Sequence, residues 1–239
     1  MYTNPWDPLG QAFLDYFRGK TSAELTIFSD IEEPAKTPVS HFFREPDDFS
    51  NLESTALSLC HGRVLDIGAG AGCHALALQE MWLEVVAIDI SPEAVELMKS
   101  RGVKNVFCST IFDFMNGKFD TLLMMMNGIG IVGNMDGLNK FFKHIESLSK
   151  SGTSLILDSL DLRRDFMSLE IEGREADPER GYFGETRYQI KYGKQTGPKF
   201  WWLYIDPDRL VEIADGFGWK CEGIYMEDDG QYLAHLKRD

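Results

Sequence analysis

Residues 64–72 read VLDIGAGAG, an apolar run that ends in an acid and opens into alternating glycines. Glycine tolerates the left-handed backbone of tight turns and lets a ligand approach the bare main chain. A strand that ends in glycines and leads into a helix also directs the unpaired amides of the helix N-terminus at that ligand. This stretch therefore predicts a strand, a turn and a helix that bind a nucleotide-like molecule.

Around this turn, between residues 63 and 158, short apolar runs alternate with amphipathic segments in the order strand, helix, strand. The apolar runs are rich in Val, Ile and Leu without polar alternation, which is typical of parallel strands covered on both faces. Helix signals accompany them, since Ser91 and Pro92 mark the start of one helix and Gly102 marks its end. The pattern predicts an open α/β sheet.

Two further segments flank this core. Residues 1–51 contain the amphipathic stretch PLGQAFLDYF, which predicts an N-terminal helical cap. Aromatic runs on either side of a KQTGP turn predict an extra β-hairpin, and residues 218–238 predict two closing strands. We therefore expect a cap segment over residues 1–51 and a main domain over residues 52–239, with the hairpin as an insertion at residues 180–205.

Composition and charge limit the partners. The 239 residues are 44% hydrophobic and carry a formal net charge of −14, which opposes close approach to a nucleic-acid backbone. No stretch approaches the roughly 20 apolar residues of a membrane span, and the opening residues lack a signal-peptide pattern. We expect a small-molecule partner, no nucleic acid, no membrane and a cytoplasmic location. The four cysteines are scattered, which predicts neither a zinc site nor a disulfide framework.

The glycine spacing separates two kinds of nucleotide turn. The dinucleotide fingerprint is GxGxxG, and its helix N-terminus receives a pyrophosphate. Here Gly68, Gly70 and Gly72 run GxGxG, and Cys73 takes the place of the third glycine. Asp66 lies just before the glycines. A carboxylate at this position does not attract an anionic pyrophosphate, but it does attract a ligand with an ammonium group. The spacing disfavours a nicotinamide-dependent oxidoreductase, which we keep as a rival hypothesis.

The stretch resembles the first motif of the class I S-adenosylmethionine-dependent methyltransferases, whose cofactor carries an ammonium, a sulfonium and no phosphate. The resemblance implies a Rossmann-like methyltransferase fold: a mostly parallel sheet with an antiparallel C-terminal strand and helices on both faces. The N-terminal helical cap and the extra β-hairpin predicted above are additions to this fold. It implies S-adenosyl-L-methionine as the cofactor. It also implies that Asp66, Gly68, Ala69 and Gly70 hold that cofactor.

A second acid follows at the distance expected of a ribose-binding residue. Asp89 ends the next predicted strand, about 20 residues beyond the glycines, as a ribose-binding acid does. The resemblance gives Asp89 both ribose hydroxyls and packs Ile90 on the adenine. Alternatively, Asp89 only caps the helix that starts beside Ser91.

The third motif departs from the family pattern, which usually has an acid after the third strand. Thr110 stands there, and its hydroxyl is able to accept a hydrogen bond from the adenine amino group. The resemblance directs the backbone amide of Ile111 at a ring nitrogen. Asp113 follows three residues later and either takes part or faces solvent.

Asn127 follows the fourth core strand, at the sheet edge where ligands of such folds bind. Family members that methylate nucleobase or amide nitrogens often carry Asn-Pro-Pro-aromatic there, and NGIG lacks the prolines and the aromatic residue. We expect Asn127 to contact the cofactor or to assist catalysis, or else only to make a tight turn.

Ahead of the first motif, the sequence VSHFFR supplies His41 and Arg44. Entry segments of this family often cover the methionine end of the cofactor, so Arg44 is expected to pair with its carboxylate by a two-pronged contact. His41 is expected to orient the substrate or to act as a base. The alternative is that both residues are structural.

The expected reaction is an in-line displacement at the methyl group by a small-molecule acceptor, for which the enzyme mainly aligns the reactants. The candidates for a base are His41, Asn127 through a water, and Asp158. The aromatic run at residues 200–204 either stacks a substrate or is buried at alternate positions. A catalytically inactive protein that binds S-adenosylmethionine for regulation is the alternative, and the oligomeric state is open.

Overall fold

A computed structural model describes residues 4–163 and 181–239 of the chain. The strands in this part are β1 (Glu24–Ser29), β2 (Ala35–Pro38), β3 (Arg63–Ile67), β4 (Glu84–Asp89), β5 (Asn105–Cys108), β6 (Thr121–Met124), β7 (Ser154–Leu160), β8 (Glu185–Tyr192), β9 (Gln195–Thr196), β10 (Phe200–Leu203), β11 (Trp219–Met226) and β12 (Gln231–Arg238). The α-helices in the described residues are α1 (Asp7–Phe17), α2 (Asn51–Leu59), α3 (Cys73–Glu80), α4 (Pro92–Arg101), α5 (Met135–Leu148) and α6 (Pro207–Gly216).

The main sheet has seven strands in the order β11-β12-β7-β6-β3-β4-β5. Strands β3 to β7 pair in parallel, whereas β12 is antiparallel to both β7 and β11. The chain reverses its direction of progress across the sheet at β3, since β4 and β5 lie on one side of it and β6 and β7 on the other. This confirms the predicted, mostly parallel sheet with an antiparallel finish.

Both faces of this sheet are covered by helices. On β3, the middle one of the five parallel strands, Leu65 lies in one buried cluster with Phe141 of α5, and Val64 lies in a second cluster with Leu78 of α3. Alternate residues of a strand point to opposite faces, so an apolar run such as RVLDI reports burial on both sides. The predicted helices on both faces are confirmed.

A second, smaller sheet has the order β10-β8-β1-β2, with the short strand β9 also paired to β8. The predicted hairpin is present as the antiparallel pair of β8 and β10, in which Tyr188 faces Phe200. The N-terminal segment contains the predicted helix as α1, and it also supplies β1 and β2, which were not predicted; Ile27 of β1 pairs with Ile190 of β8. Pairing partners so far apart in sequence leave no local signal.

The predicted division at residue 51 stays a prediction, but this smaller sheet takes strands from both sides of it. Residues 1–3 of the predicted cap and residue 180 of the predicted insertion lie outside the described residues. Within the part of the chain that the structure describes, no helix is both long and apolar enough to cross a membrane.

Helix α1 crosses the start of α4 at close range. Phe13 of α1 lies in one buried cluster with Ala94 and Leu97 of α4. Gly10 makes the approach possible, because a Cβ atom on it would lie 2.5 Å from the Ser91 Oγ. That hydroxyl caps α4 by accepting a hydrogen bond from the Ala94 amide. The contact brings α1 to the carboxyl edge of the main sheet.

We expect Gly10→Ala to lower the free energy of unfolding by about 1–2 kcal/mol, because the new methyl group displaces the Ser91 cap. Gly216→Ala is the matched control, since Gly216 is also helical and an alanine Cβ there would have no described atom of a neighbour within 4 Å. Alanine should there be neutral or stabilise by up to about 1 kcal/mol. Urea unfolding of both variants checks this, and equal changes would contradict the close approach.

Candidate active site

A cavity of about 260 Å³ opens at the carboxyl edge of β3, β4, β5 and β6, with α1 over it. Ligands of open α/β sheets bind at this edge, where the strand order reverses. The residues predicted from the sequence that line it are Asp66, Gly68, Ala69, Gly70, Asp89, Ile90, Thr110 and Ile111. Segments far apart in the sequence therefore meet in one cavity.

The glycine turn lies between β3 and α3. Gly70 and Gly72 have left-handed backbone, with φ of 56° and 84°, which costs glycine little and other residues more. A Cβ atom on Gly72 would also lie 2.9 Å from the Met98 side chain. The turn is thus closed against α4 and leaves its other side, with residues 68–71, facing the cavity.

Asp66 is the charged group at the floor of the cavity. Its side chain is buried, and its Oδ2 has no hydrogen-bond partner. Burial raises the pKa of Asp66 to about 6; the charge of Asp89 adds to this rise, whereas His74 and the Ala75 amide oppose it. A buried carboxylate oxygen without a partner is costly, so the site fits a ligand that brings a cationic hydrogen-bond donor such as the cofactor ammonium.

Asp89 closes β4 and lines the same cavity. Its Oδ2 accepts a hydrogen bond from the Gly70 amide at 2.9 Å, and its Oδ1 accepts one from the Ser91 amide at 2.8 Å. Asp89 therefore ties the glycine turn to the start of α4 and still faces the cavity. Beside it, the apolar side chain of Ile90 is 41% exposed, which suits a surface on which a planar base packs.

Thr110 and Ile111 line the cavity after β5, together with Phe112. The Thr110 hydroxyl donates to the Asp113 carboxylate at 2.5 Å and accepts from the Asp113 amide at 3.2 Å. Asp113 thus holds a local turn and is not among the lining residues. One lone pair of the Thr110 hydroxyl remains for a ligand.

The loop after β6 has an unusual backbone. Met126 and Asn127 both have left-handed conformations, with φ of 63° and 57°, which are uncommon for residues other than glycine and tend to occur at functional sites. Asp158 of β7 holds the loop, because its Oδ1 accepts hydrogen bonds from the amides of Asn127 and Gly128 at 2.8 and 3.4 Å. Burial raises the pKa of Asp158 to about 6. We therefore interpret Asp158 as a clamp for this loop.

Asn127 contributes less to the cavity than its neighbours. Met126 and Gly128 line the cavity, and Asn127 does not. The Asn127 Oδ1 is buried and has no hydrogen-bond partner. The expected tight turn is present, and the expected catalytic or cofactor contact of Asn127 stays a prediction.

The structure does not bring His41 and Arg44 to this cavity. Both line a separate groove on the surface with Tyr16. Arg44 is already engaged, because its two terminal nitrogens donate to the two Glu53 carboxylate oxygens at 2.7 Å each. Its expected two-pronged contact is real, but the partner is a protein carboxylate, so we do not propose that Arg44 touches the cofactor or that His41 acts as the base.

Sequence reasoning missed residues that the structure places at the cavity. His74 is buried there, with its Nε2 2.8 Å from a Glu53 oxygen. The sequence signal for it was its place two residues after Gly72. Further lining residues are aromatic or aliphatic: Trp6, Leu9, Phe13, Phe42, Ile131 and Trp202.

Trp202 belongs to the aromatic run singled out in the sequence, and of Phe200, Trp201, Trp202 and Tyr204 it is the one that lines the cavity. Gly130 allows this, since a Cβ atom there would overlap the indole ring of Trp202.

Over residues 4–163 and 181–239, no group of three or more His, Cys, Asp or Glu side chains is arranged to hold a metal ion.

Comparison with known proteins agrees with this geometry. Residues 64–152 match the family of methyltransferase domains. An S-adenosylmethionine-dependent methyltransferase from Bacteroides fragilis, solved in complex with S-adenosyl-L-homocysteine, is 38% identical, with a TM-score of 0.87 over 100% of this chain and 97% of that one.

Curated relatives match over shorter stretches. The uncharacterized methyltransferase YcgJ of Bacillus subtilis (strain 168) is 41% identical over 68 residues, which are 27% of each chain. The ubiquinone biosynthesis O-methyltransferase of Xanthomonas euvesicatoria pv. vesicatoria (strain 85-10) is 26% identical over 130 residues, or 51% of this chain and 53% of that protein. These matches thus span only about a quarter and about half of the two relatives.

The full-length match and the acid-headed glycine turn agree on one family. They confirm the predicted Rossmann-like methyltransferase fold, with an extra antiparallel sheet where a hairpin was expected, and S-adenosylmethionine as the family cofactor. The chain belongs to the S-adenosylmethionine-dependent methyltransferases.

Proposed function

We propose that this protein transfers the methyl group of S-adenosylmethionine to a small-molecule acceptor with an apolar, partly aromatic body. One observation carries the proposal: a single cavity joins the acid-headed glycine turn and Asp89 to a wall of apolar and aromatic side chains. The polar part suits the cofactor, and the apolar part remains for the acceptor. The formal net charge of −14 supports a small acceptor over a nucleic acid.

The strand order orients the cofactor in this proposal. Asp66 on β3 takes the ammonium of the methionine tail, and Asp89 on β4 takes the ribose hydroxyls. Ile90 and the segment after β5 with Thr110 and Ile111 hold the adenine. The cofactor itself supplies a methyl group activated by the positive sulfur.

The acceptor then approaches from the side of β6, because β6 neighbours β3 on the side away from β4. The cavity wall there includes Met126, Gly128, Ile131 and Trp202, with Trp6, the residue before α1, close by. Aromatic side chains favour planar or apolar ligands. This supports an acceptor with an aromatic or aliphatic body instead of a highly charged one.

The chain promotes the displacement mainly by alignment. A nucleophile held in line with the methyl group avoids much of the entropic cost of an encounter, about 7–11 kcal/mol for ideal cases. We propose that Asp158 holds the loop after β6 and does not remove a proton, because its Oδ1 already accepts two backbone hydrogen bonds.

The cytoplasmic location stays a prediction from the sequence.

We expect Asp89→Asn to weaken binding of S-adenosylhomocysteine by about 10- to 100-fold, since a hydrogen bond to a charged group contributes about 1.5–3 kcal/mol. Isothermal titration calorimetry measures the effect. Asp113→Asn is the control, because Asp113 lies nearby in the turn of Thr110 but does not line the cavity. Unchanged affinity in Asp89→Asn would reject the ribose assignment.

For the acceptor, we expect formation of S-adenosylhomocysteine with aromatic or apolar amines, phenols or thiols in a panel that also holds charged aliphatic acceptors. Trp202→Leu should then lower kcat/KM for the acceptor by about 10- to 200-fold, as lost pocket contacts do, with cofactor affinity nearly unchanged. Trp201→Leu is the matched control, since Trp201 packs against Arg187 and does not line the cavity.

Two results of that panel would count against the proposal. Preference for charged aliphatic acceptors, with no effect of Trp202→Leu, would reject the apolar acceptor. Tight cofactor binding without turnover on any acceptor would favour the regulatory alternative.

A further inference from the structure

We propose that Glu53 and His74 form a relay of charges, anchored by Arg44, that keeps Asp66 ionised for the cofactor ammonium. The relay rests on the proposed role of Asp66, and it assigns to His74 and Glu53 a positioning role that the sequence did not indicate. Neither residue needs to touch the cofactor in this arrangement, because both act through Asp66.

Close contacts join Arg44, Glu53 and His74, and His74 lines the same cavity as Asp66. Arg44 binds both Glu53 carboxylate oxygens at 2.7 Å. The His74 Nε2 lies 2.8 Å from the Glu53 Oε1. Glu53 is 6% exposed and His74 is 5% exposed, so these contacts occur away from bulk solvent, where charge interactions are stronger.

Helix capping alone does not explain this arrangement. Glu53 completes a capping box with Ser50 at the start of α2, and such boxes need neither burial nor a histidine partner. The ion pair that reaches His74 is additional. Through it, α2 is connected to the first turn of α3 and to the cavity that His74 lines.

The charges alternate along the chain of groups, from Arg44 to Glu53, His74 and Asp66. Burial opposes the charge on His74, but hydrogen bonds with Cys73 and Glu53, together with the Asp66 charge, raise the pKa of His74 to about 10. Burial also opposes the charge on Glu53, but its bonds with His74, Ser50 and Arg44 hold the pKa of Glu53 at about 2. At neutral pH the relay therefore presents an imidazolium to Asp66.

Asp66 needs this help because its other surroundings favour the neutral acid. Burial and the charge of Asp89 raise its pKa, and His74 and the Ala75 amide lower it. Burial and the charge of Asp66 raise the pKa of the Cys60 thiol, and the charge of His74 opposes the rise that burial causes in the pKa of Asp158. Of the side chains that act on Asp66 here, His74 is the one that lowers its pKa.

The sign of the pH effect follows. In the free protein Asp66 has a pKa of about 6, so the carboxylate that binds an ammonium is lost as the pH falls through that value. Without the His74 charge, the pKa of Asp66 rises further. The loss of ammonium binding then begins at a higher pH.

The test uses calorimetric titration of the full chain between pH 5 and 8.5 with two ligands. S-adenosylhomocysteine carries the amino-acid tail, whereas 5′-methylthioadenosine lacks it but keeps the adenosine that Asp89 would bind. The ratio of the affinity for S-adenosylhomocysteine to that for 5′-methylthioadenosine reports on binding of the amino-acid tail, because any titration of Asp89 affects both ligands alike. In the wild type we expect this ratio to decrease as the pH falls below about 6. The affinity for 5′-methylthioadenosine alone should show no transition at that pH.

In His74→Gln the midpoint of that fall should move upward by about 1–3 pH units, the size of the effect of one neighbouring charge. Glu53→Gln should move it in the same direction, because His74 then loses its anion. His144→Gln is the control, since His144 bonds the Phe114 carbonyl away from the cavity and should leave the midpoint unchanged.

A lower affinity of His74→Gln for both ligands at every pH, with an unmoved midpoint, would overturn the relay and leave His74 a packing residue. Circular dichroism checks the fold of each variant. If these variants unfold, NMR titration of the wild-type imidazoles decides, since a neutral His74 at pH 7 also overturns the relay. Failure of the wild type to bind S-adenosylhomocysteine would instead contradict the proposed function.

Discussion

The buried carboxylate of Asp66 is the constraint on which the site depends. It stands near the end of β3, and its Oδ2 has no hydrogen-bond partner. Leaving a charge in that state is unfavourable, so the surroundings either neutralise it or supply a cation. The proposed contact with the cofactor ammonium would satisfy the carboxylate, and the proposed relay would add the charge of His74 from the protein.

The rest of the fold arranges ligand-binding groups around that position. The strand order places β4 and β5 on one side of β3, and β6 on the other. In the proposed arrangement, the adenosine and the acceptor lie on opposite sides of the glycine turn. Helix α1 and Trp202 of the smaller sheet close the cavity from above, so the segments most remote from the glycine motif shape the space left for the acceptor.

Local patterns predicted the parts of this site that are local in sequence. The turn from Asp66 to Gly72 and the acid Asp89 each end a buried strand, and both reach the cavity. Strand β1 had no such signal, because it pairs with β8 far along the chain. The pairing of Arg44 with Glu53 had no local signal either, because the sequence does not show that Glu53 is buried beside Arg44. The alternation of side chains along a strand predicted that half of the aromatic run is buried, but it did not predict that Trp202 faces the cavity.

The most direct test of the central claim is a crystal structure of this protein with S-adenosylhomocysteine bound. We expect the amino group of the ligand within about 2.7–3.2 Å of an Asp66 carboxylate oxygen, the range of N–H···O hydrogen bonds. An amino group directed elsewhere, with Asp66 still lacking a partner or paired with a protein group, would contradict the role of the acid-headed turn.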